Sequence, residues 1–298
     1  MLSLNFSAHP EVVCRPALPK DTGQVLELCS HIWDGGDYIP RVWAEWLADP
    51  EGLLGVAELA GRVVGVFKLT KFQEKEWYLE GLRVHPDVQG MGIASHIQSF
   101  VLETWKRMGN GVVRLVTASY NVKVHRMCEE HGFKRIAEFI PYRAVALQGV
   151  QAAFTHTEIE EVEQVLDFLQ LSQTHACSAG LINLGWVFGD PQIKHIEEVI
   201  GYQHAWWWHG RAGFISILED DEGEEREPGI QLLACSISQL DELLLDYRKL
   251  MGDIGYKSAG WTAPNDPQVI GSLEKTGFER TWDKSIYAYE LKSVESLK

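Results

Sequence analysis

The chain is short of the charge that nucleic acids and anionic membranes select. Lysine and arginine number 27 against 42 aspartates and glutamates, a net charge of −15 over 298 residues. Neutralising a phosphate backbone or a lipid surface takes clustered cations, so neither is expected as a partner. No apolar run approaches the ~20 residues of a membrane span. Met1–Arg15 lacks the basic start and apolar core of a secretory signal. Cysteine is also scarce: Cys14, Cys29, Cys128, Cys177 and Cys235 are widely spaced, with no C-x-x-C pair. That pattern supports neither a disulfide framework nor a zinc-binding cluster; no metal is expected, and a reducing cytoplasm is. What remains is a globular composition, 45% hydrophobic. Its length suits one large domain or two ordinary ones, with about 75% of the unfolded surface buried on folding.

Element signals alternate, predicting an α/β chain (α+β, mixed sheet). Helical periodicity runs from Thr22 to Trp33 and again from Arg41 to Ala48. Leu53–Leu59 and Val63–Thr70 flank a tight turn at Ala60-Gly61-Arg62, and Glu76–Val84 is a further strand. A helix over Gly92–Met108, a strand over Val112–Ala118 and a helix over Val122–His131 follow. Phe133–Leu147 reads as two short strands broken near Pro141, and Gln148–Thr157 as a linker. The second half offers helices near Ile159–Leu171, Gln239–Met251 and from Asp266. Its strand-like segments are Leu181–Phe188, Ala212–Leu218, Ile230–Ile237 and Lys257–Thr262. His204-Ala205-Trp206-Trp207-Trp208-His209 reads as core or interface aromatics, and the acidic run Glu219–Glu227 as a solvated loop.

The end of the first half recurs at the end of the second. Asn121–Arg135 aligns without gaps on Asp266–Arg280, matching at Val124/Val269, Glu129/Glu274, Gly132/Gly277, Phe133/Phe278 and Arg135/Arg280. With the same upstream element order, this predicts two related domains, 1–147 and 148–298. Their charge differs: 16 basic and 17 acidic residues in the first, 11 and 25 in the second.

The sharpest local feature is Leu82-Arg83-Val84-His85-Pro86-Asp87-Val88-Gln89-Gly90-Met91-Gly92-Ile93-Ala94, a strand passing through a glycine-bearing turn into a helix. Glycines let successive N–H groups converge beside a helix N-terminus, a geometry that holds a pyrophosphate without side-chain charge. A P-loop is excluded by the missing Lys-Ser/Thr pair, and a dinucleotide fold by the missing G-x-G-x-x-G.

The same segment resembles the GNAT superfamily of acyl-CoA-dependent N-acyltransferases, whose loop reads Gln/Arg-x-x-Gly-x-Gly/Ala. Gln89, Gly92 and Ala94 fill those places, Val84-His85-Pro86 matches the V-x-P that ends the preceding strand, and Asn121 with Gly132-Phe133 matches the last helix and strand. The resemblance covers about residues 15–147. It implies two tandem GNAT-like domains. The second is degenerate, because Ser238-Gln239-Leu240-Asp241 follows its central strand without the glycine loop. It implies acetyl-CoA as co-substrate, held by backbone groups of Leu82 and Val84, by the N–H groups of Gln89, Gly90, Met91, Gly92, Ile93 and Ala94, and by Asn121.

The reaction implied is attack of an amine on a thioester, which needs a base, an oxyanion donor and a proton for the thiolate. Glu80 is the candidate base, since strand alternation places it on one face with Leu82 and Val84; His85 and His125 are weaker alternatives. Where many family members carry a tyrosine to protonate the thiolate, this chain has Cys128, and Tyr120 and Tyr142 are substitutes. Trp33, Asp37 and Tyr38 are candidate acceptor-binding residues, Asp37 for an ammonium and the rings for its apolar body. The stretch Trp33–Pro40 with Trp43 and Trp46 resembles the acceptor side of the histidine N-acetyltransferases of this family. A small-molecule amine, an amino acid among the options, is therefore the expected substrate, and a homodimer is open. The rival readings are an acyl-CoA-binding sensor or scaffold, kept open by Cys128, and acetylation of a protein or peptide.

Overall fold

The computed structural model describes residues 12–109, 111–149, 153–220 and 227–293. They form two compact units whose boundaries interleave along the chain. The first gathers residues 12–115, 127–133 and 290–293, the second 116–126 and 134–289. Position 147, where the sequence suggests a division, lies inside the second unit. Among the described residues no helix is long and apolar enough to cross a membrane.

In the first unit β1 (Val12–Pro16) leads into α1 (Thr22–Ser30), α2 (Ile39–Ala48), β2 (Leu53–Leu59), β3 (Arg62–Gln73), β4 (Glu76–Val84), α3 (Ile93–Met108) and the first half of β5 (Val112–Ala118), and α4 (Val122–Glu130) contributes its last turn. The strands run in the order β1-β2-β3-β4-β5. Pairing is antiparallel up to β4, and β5 lies parallel to β4. Ala60 (φ +51°) and Gly61 (φ +82°) both adopt the left-handed region, which turns β2 into β3 through two residues. Apolar residues spaced three and four apart on α1 and α2 (Val25, Leu28, Ile39, Trp43, Trp46) pack on Leu54, Val56, Val63 and Val66. At the far edge, Arg114 is buried between Glu76 and Glu290, its Nη2 2.8 Å from Glu290 Oε2. Beside it the Ser293 N–H donates to Gly111 O at 2.8 Å.

The second unit carries β6 (Lys134–Val145), β7 (Phe154–His156), α5 (Val162–Leu171), α6 (Gln173–Cys177), the short β8 (Ile182–Asn183) and β9 (Phe188–Gly189), α7 (Ile193–Gly201), β10 (Ala205–Trp208), β11 (Gly213–Asp220), β12 (Glu227–Cys235), α8 (Leu240–Asp253), β13 (Ser258–Pro264), α9 (Pro267–Lys275), β14 (Glu279–Arg280) and most of β15 (Ile286–Lys292). Its strand order is β6-β13-β12-β11-β10-β7. Trp206, Trp207 and Trp208 are core residues of β10. The middle of the acidic run, residues 221–226, lies outside the described residues.

Pro141 does not break β6, contrary to the sequence reading. Its carbonyl accepts from Thr281 N–H on the β14 side. The imide nitrogen therefore faces that side too, away from the ladder in which Pro141 opposes Thr262 of β13.

The repeated segments have the same cap. Gly132 (φ +84°) and Gly277 (φ +77°) end α4 and α9 in the left-handed conformation. Phe133 N–H then returns to Cys128 O, and Phe278 N–H to Leu273 O, each at 2.9 Å.

Candidate active site

The loop between β4 and α3 is built on two left-handed glycines, Gly90 (φ +86°) and Gly92 (φ +78°), and a Cβ at either would meet nothing within 4 Å. Gly92 is the N-cap of α3 and no side chain caps it. The N–H groups of Gly90, Gly92, Ile93 and Ala94 make no hydrogen bond among the described residues, as expected of a first helical turn. An oxyanion is the natural partner for such a cluster. Two of the six N–H groups assigned to the loop from sequence point elsewhere: Gln89 donates to Pro86 O at 3.2 Å and Met91 to Val88 O at 3.4 Å. Gln89 instead braces the loop by donating Nε2 to Val84 O at 3.3 Å.

β4 pairs with β5 only along Glu76–Tyr78, so its edge from Leu79 to Val84 has no strand partner among the described residues. Leu82 and Val84 lie on this free edge, although Leu82 O already accepts Arg83 Nη1 at 3.1 Å.

Against β3, Glu80 opposes Lys68 and Arg83 opposes Val66, so β4 spends one residue more than β3 in between. That is a bulge, and Gly81 (φ +64°) supplies it. A Cβ on Gly81 would sit 2.7 Å from the Trp46 ring. The bulge corrects the alternation argument: Glu80 shares its face with Arg83, not with Leu82 and Val84.

Glu80 is half-buried and accepts a hydrogen bond from Thr70 Oγ1. Burial raises its carboxyl above the ordinary range and the charges of Glu45 and Asp49 push the same way; the Thr70 bond and the Lys68 ammonium oppose them. Lys68 is itself buried and ion-paired with Asp49. A carboxylate held in this way binds its proton more tightly than an exposed one, the direction that suits a general base.

The three candidate acceptor residues converge on Arg83. Its Nε and Nη2 donate to Asp37 Oδ2 and Oδ1 at 2.9 and 3.1 Å. Its guanidinium carbon lies 4.5 Å from the centroid of Trp33 and 5.3 Å from that of Tyr38. The Asp37 side chain is fully buried, so the expectation that it receives an ammonium is corrected: it holds Arg83. Trp33 (φ +48°) and Asp34 (φ +55°) are consecutive non-glycine residues in the left-handed region, a strained turn that presents Trp33, 62% exposed, over the guanidinium. Burial pushes the Tyr38 hydroxyl up to about 12. Nothing in the motif pointed to Arg83; the one available signal was a cation between the apolar Leu82 and Val84.

Residues 23–133 match the acetyltransferase (GNAT) family model. This segment is a GNAT domain. Among curated proteins, histidine N-acetyltransferase of Oreochromis niloticus is 28% identical over 156 residues, which is 50% of this chain and 43% of the relative. The match thus spans less than half the length of that relative. Among solved structures, a GCN5-related N-acetyltransferase from Sphaerobacter thermophilus superposes with TM-score 0.64 at 9% identity, over 94% of this chain and 95% of its own. A tandem GNAT protein from the clavulanic acid biosynthesis pathway gives 0.55 at 14% identity, covering 94% and 98%. At these identities the two structures establish the fold: the α/β tandem GNAT arrangement extends over nearly the whole chain.

Around the GNAT domain the remaining candidates fall as follows. Asn121 belongs to the second unit, at the start of α4, and donates Nδ2 to Thr117 Oγ1 at 3.2 Å. Cys128 is wholly buried, and burial pushes its thiol up to about 12, so it is a packing residue. Tyr142 is a core residue of the second unit with its hydroxyl likewise raised by burial. Neither supplies an accessible acid. Tyr120 is exposed, His125 sets Nε2 3.1 Å from Ala118 O, and His85 is buried.

Among the described residues of the second unit, the edge of β12 next to β13 is closed by the unit's own side chains. β12 and β13 pair only at Gly229↔Gly260 and Ile230↔Trp261 and then part. The freed edge of β12 is satisfied from within: Thr174 Oγ1 accepts from Cys235 N–H at 2.9 Å, and Ser172 Oγ donates to Cys235 O at 3.1 Å. The turn before α8 has no left-handed residue, and Ile237 N–H is spent on Gln173 Oε1.

Proposed function

We propose that this chain is an N-acetyltransferase that moves the acetyl group of acetyl-CoA to the primary amine of a small molecule, an amino acid in the first instance. The observation that carries this reading is a half-buried carboxylate with a raised pKa, Glu80, on the same strand face as the Trp33–Arg83–Tyr38 stack. That strand runs directly into a loop of unpaired N–H groups. The loop residues Gly90, Gly92, Ile93 and Ala94 would hold the pyrophosphate, and the free edge of Leu82 and Val84 the pantetheine amides. Glu80 takes the proton of the incoming ammonium, directly or through one water. The freed amine then attacks the thioester carbonyl; the C–N bond forms, the C–S bond breaks, the thiolate leaves with the electron pair, and the nitrogen's surplus proton passes through water to the thiolate. The aromatic stack favours a compact acceptor with an apolar or aromatic body over a peptide chain. The histidine N-acetyltransferase relative supports an amino acid.

The test is release of CoA thiol from acetyl-CoA with a panel of amino acids, biogenic amines and peptides. Saturable release with an amino acid supports the reading. Tight CoA binding with no release from any acceptor would leave an acyl-CoA sensor.

A further inference from the structure

Outside the acyl-transfer machinery, two histidines and a glutamate meet where α1 ends. Glu27 and His31 are one helical turn apart, so both project from the same face of α1. His31 Nε2 lies 3.0 Å from Glu27 Oε1. His85, which opens the loop to α3, brings its Nε2 to 3.8 Å from that oxygen, and one ligand atom of each residue lies within 4.8 Å of the others. Two imidazoles and a carboxylate in a partly open arrangement form the donor set of a zinc-type site with a free fourth position.

A cationic group already uses these atoms. Arg62 Nη2 is 2.9 Å from His85 Nε2 and 3.6 Å from Glu27 Oε1. A guanidinium can only donate, so it turns its N–H groups toward the His85 ring nitrogen and the Glu27 carboxylate. On the other side of the ring the Asp87 N–H donates to Nδ1 at 3.2 Å, which fixes the orientation of the imidazole. Arg62 is half-exposed at the β2–β3 turn, with its Nη1 4.0 Å from Asp87 Oδ2.

We infer that Glu27, His31 and His85 form a binding site for a divalent transition metal of the zinc class, entered by displacement of the Arg62 guanidinium. Bound metal would tie the end of α1 to the first residue of the phosphate-binding loop.

The experiment is calorimetric titration of the full-length protein with Zn2+ alone, with Co2+ absorption spectra as a second readout. Because Glu27, His31 and Arg62 are exposed, their variants are expected to fold, and CoA affinity and thermal melting serve as controls. The inference predicts one site that weakens at least tenfold in His31→Ala and in Glu27→Gln and tightens severalfold in Arg62→Ala. It also predicts a tetrahedral cobalt spectrum that His31→Ala removes. Unchanged zinc affinity in His31→Ala and Arg62→Ala, or no zinc binding, overturns it whatever the acetyl acceptor proves to be.

Discussion

Arg83 and Asp37 face each other across a two-pronged ion pair, with 2.9 and 3.1 Å between donors and acceptors and the carboxylate shut off from solvent. Removing one partner of so buried a pair strands the other. Asp37→Asn should therefore lower unfolding stability by about 3 kcal/mol. The acceptor KM should rise while CoA affinity stays constant, because the released guanidinium no longer holds Trp33 and Tyr38 in place. Denaturant unfolding and steady-state kinetics measure the two effects.

Glu80 carries opposite expectations for activity and stability. As the base it must be ionised, so turnover should fall as pH drops through its raised pKa. Glu80→Gln should remove that acid limb and cut kcat by about 10²–10⁴. The same shift means the fold favours the protonated carboxyl. That contribution is present below the unfolded-state pKa and lost as pH rises through the folded one. At neutral pH the glutamine variant should accordingly melt higher than the parent. A lower melting point with unchanged kinetics would count against Glu80 as base.

Gly92 has open space around its missing Cβ, so a side chain there meets strain, not a clash. Forcing its left-handed backbone costs about 1–2 kcal/mol, and an aspartate adds charge repulsion to the phosphates. Gly92→Asp should weaken CoA binding more than tenfold in calorimetry and leave a folded protein.

Cys128 offers a counter-test. A buried thiol held near 12 does not deliver protons in turnover. Cys128→Ala should lose about 1 kcal/mol of stability and keep kcat within twofold.

Thr174 in the second unit should behave as a structural surrogate for a ligand. Thr174→Val strips a buried hydroxyl from the β12 edge and leaves Cys235 N–H without its acceptor, at a cost of about 1–3 kcal/mol. CoA stoichiometry should remain one per chain.

Most strands and helices of the first unit were legible in the sequence. Leu53–Leu59, Glu76–Val84 and Val112–Ala118 were read with the bounds the structure gives. The glycine loop was legible too, since its φ demands leave few residue choices. Three things were not. The bulge at Gly81 shifts side-chain parity by one residue, and no local pattern distinguishes a bulge glycine from a strand glycine; the Glu80–Arg83 relation was hidden with it. Pro141 read as a break because the side of the strand its nitrogen faces depends on partners 121 and 140 residues away. The strand signal over Leu181–Phe188 shrank to the two-residue β8 and β9, because the intervening Gly185 and Trp186 turn left-handed.

The Arg114–Glu290 pair spans 176 residues of chain. At about 5–20 residues per second of synthesis, Arg114 waits roughly 9–35 s on the ribosome for its second carboxylate. Over that interval the first unit has its glycine loop and Glu80 but not Glu290. A chain cut after Leu147 would remain in that waiting state, with a buried cation half-neutralised, and such a fragment belongs to the chaperones and proteases rather than to catalysis.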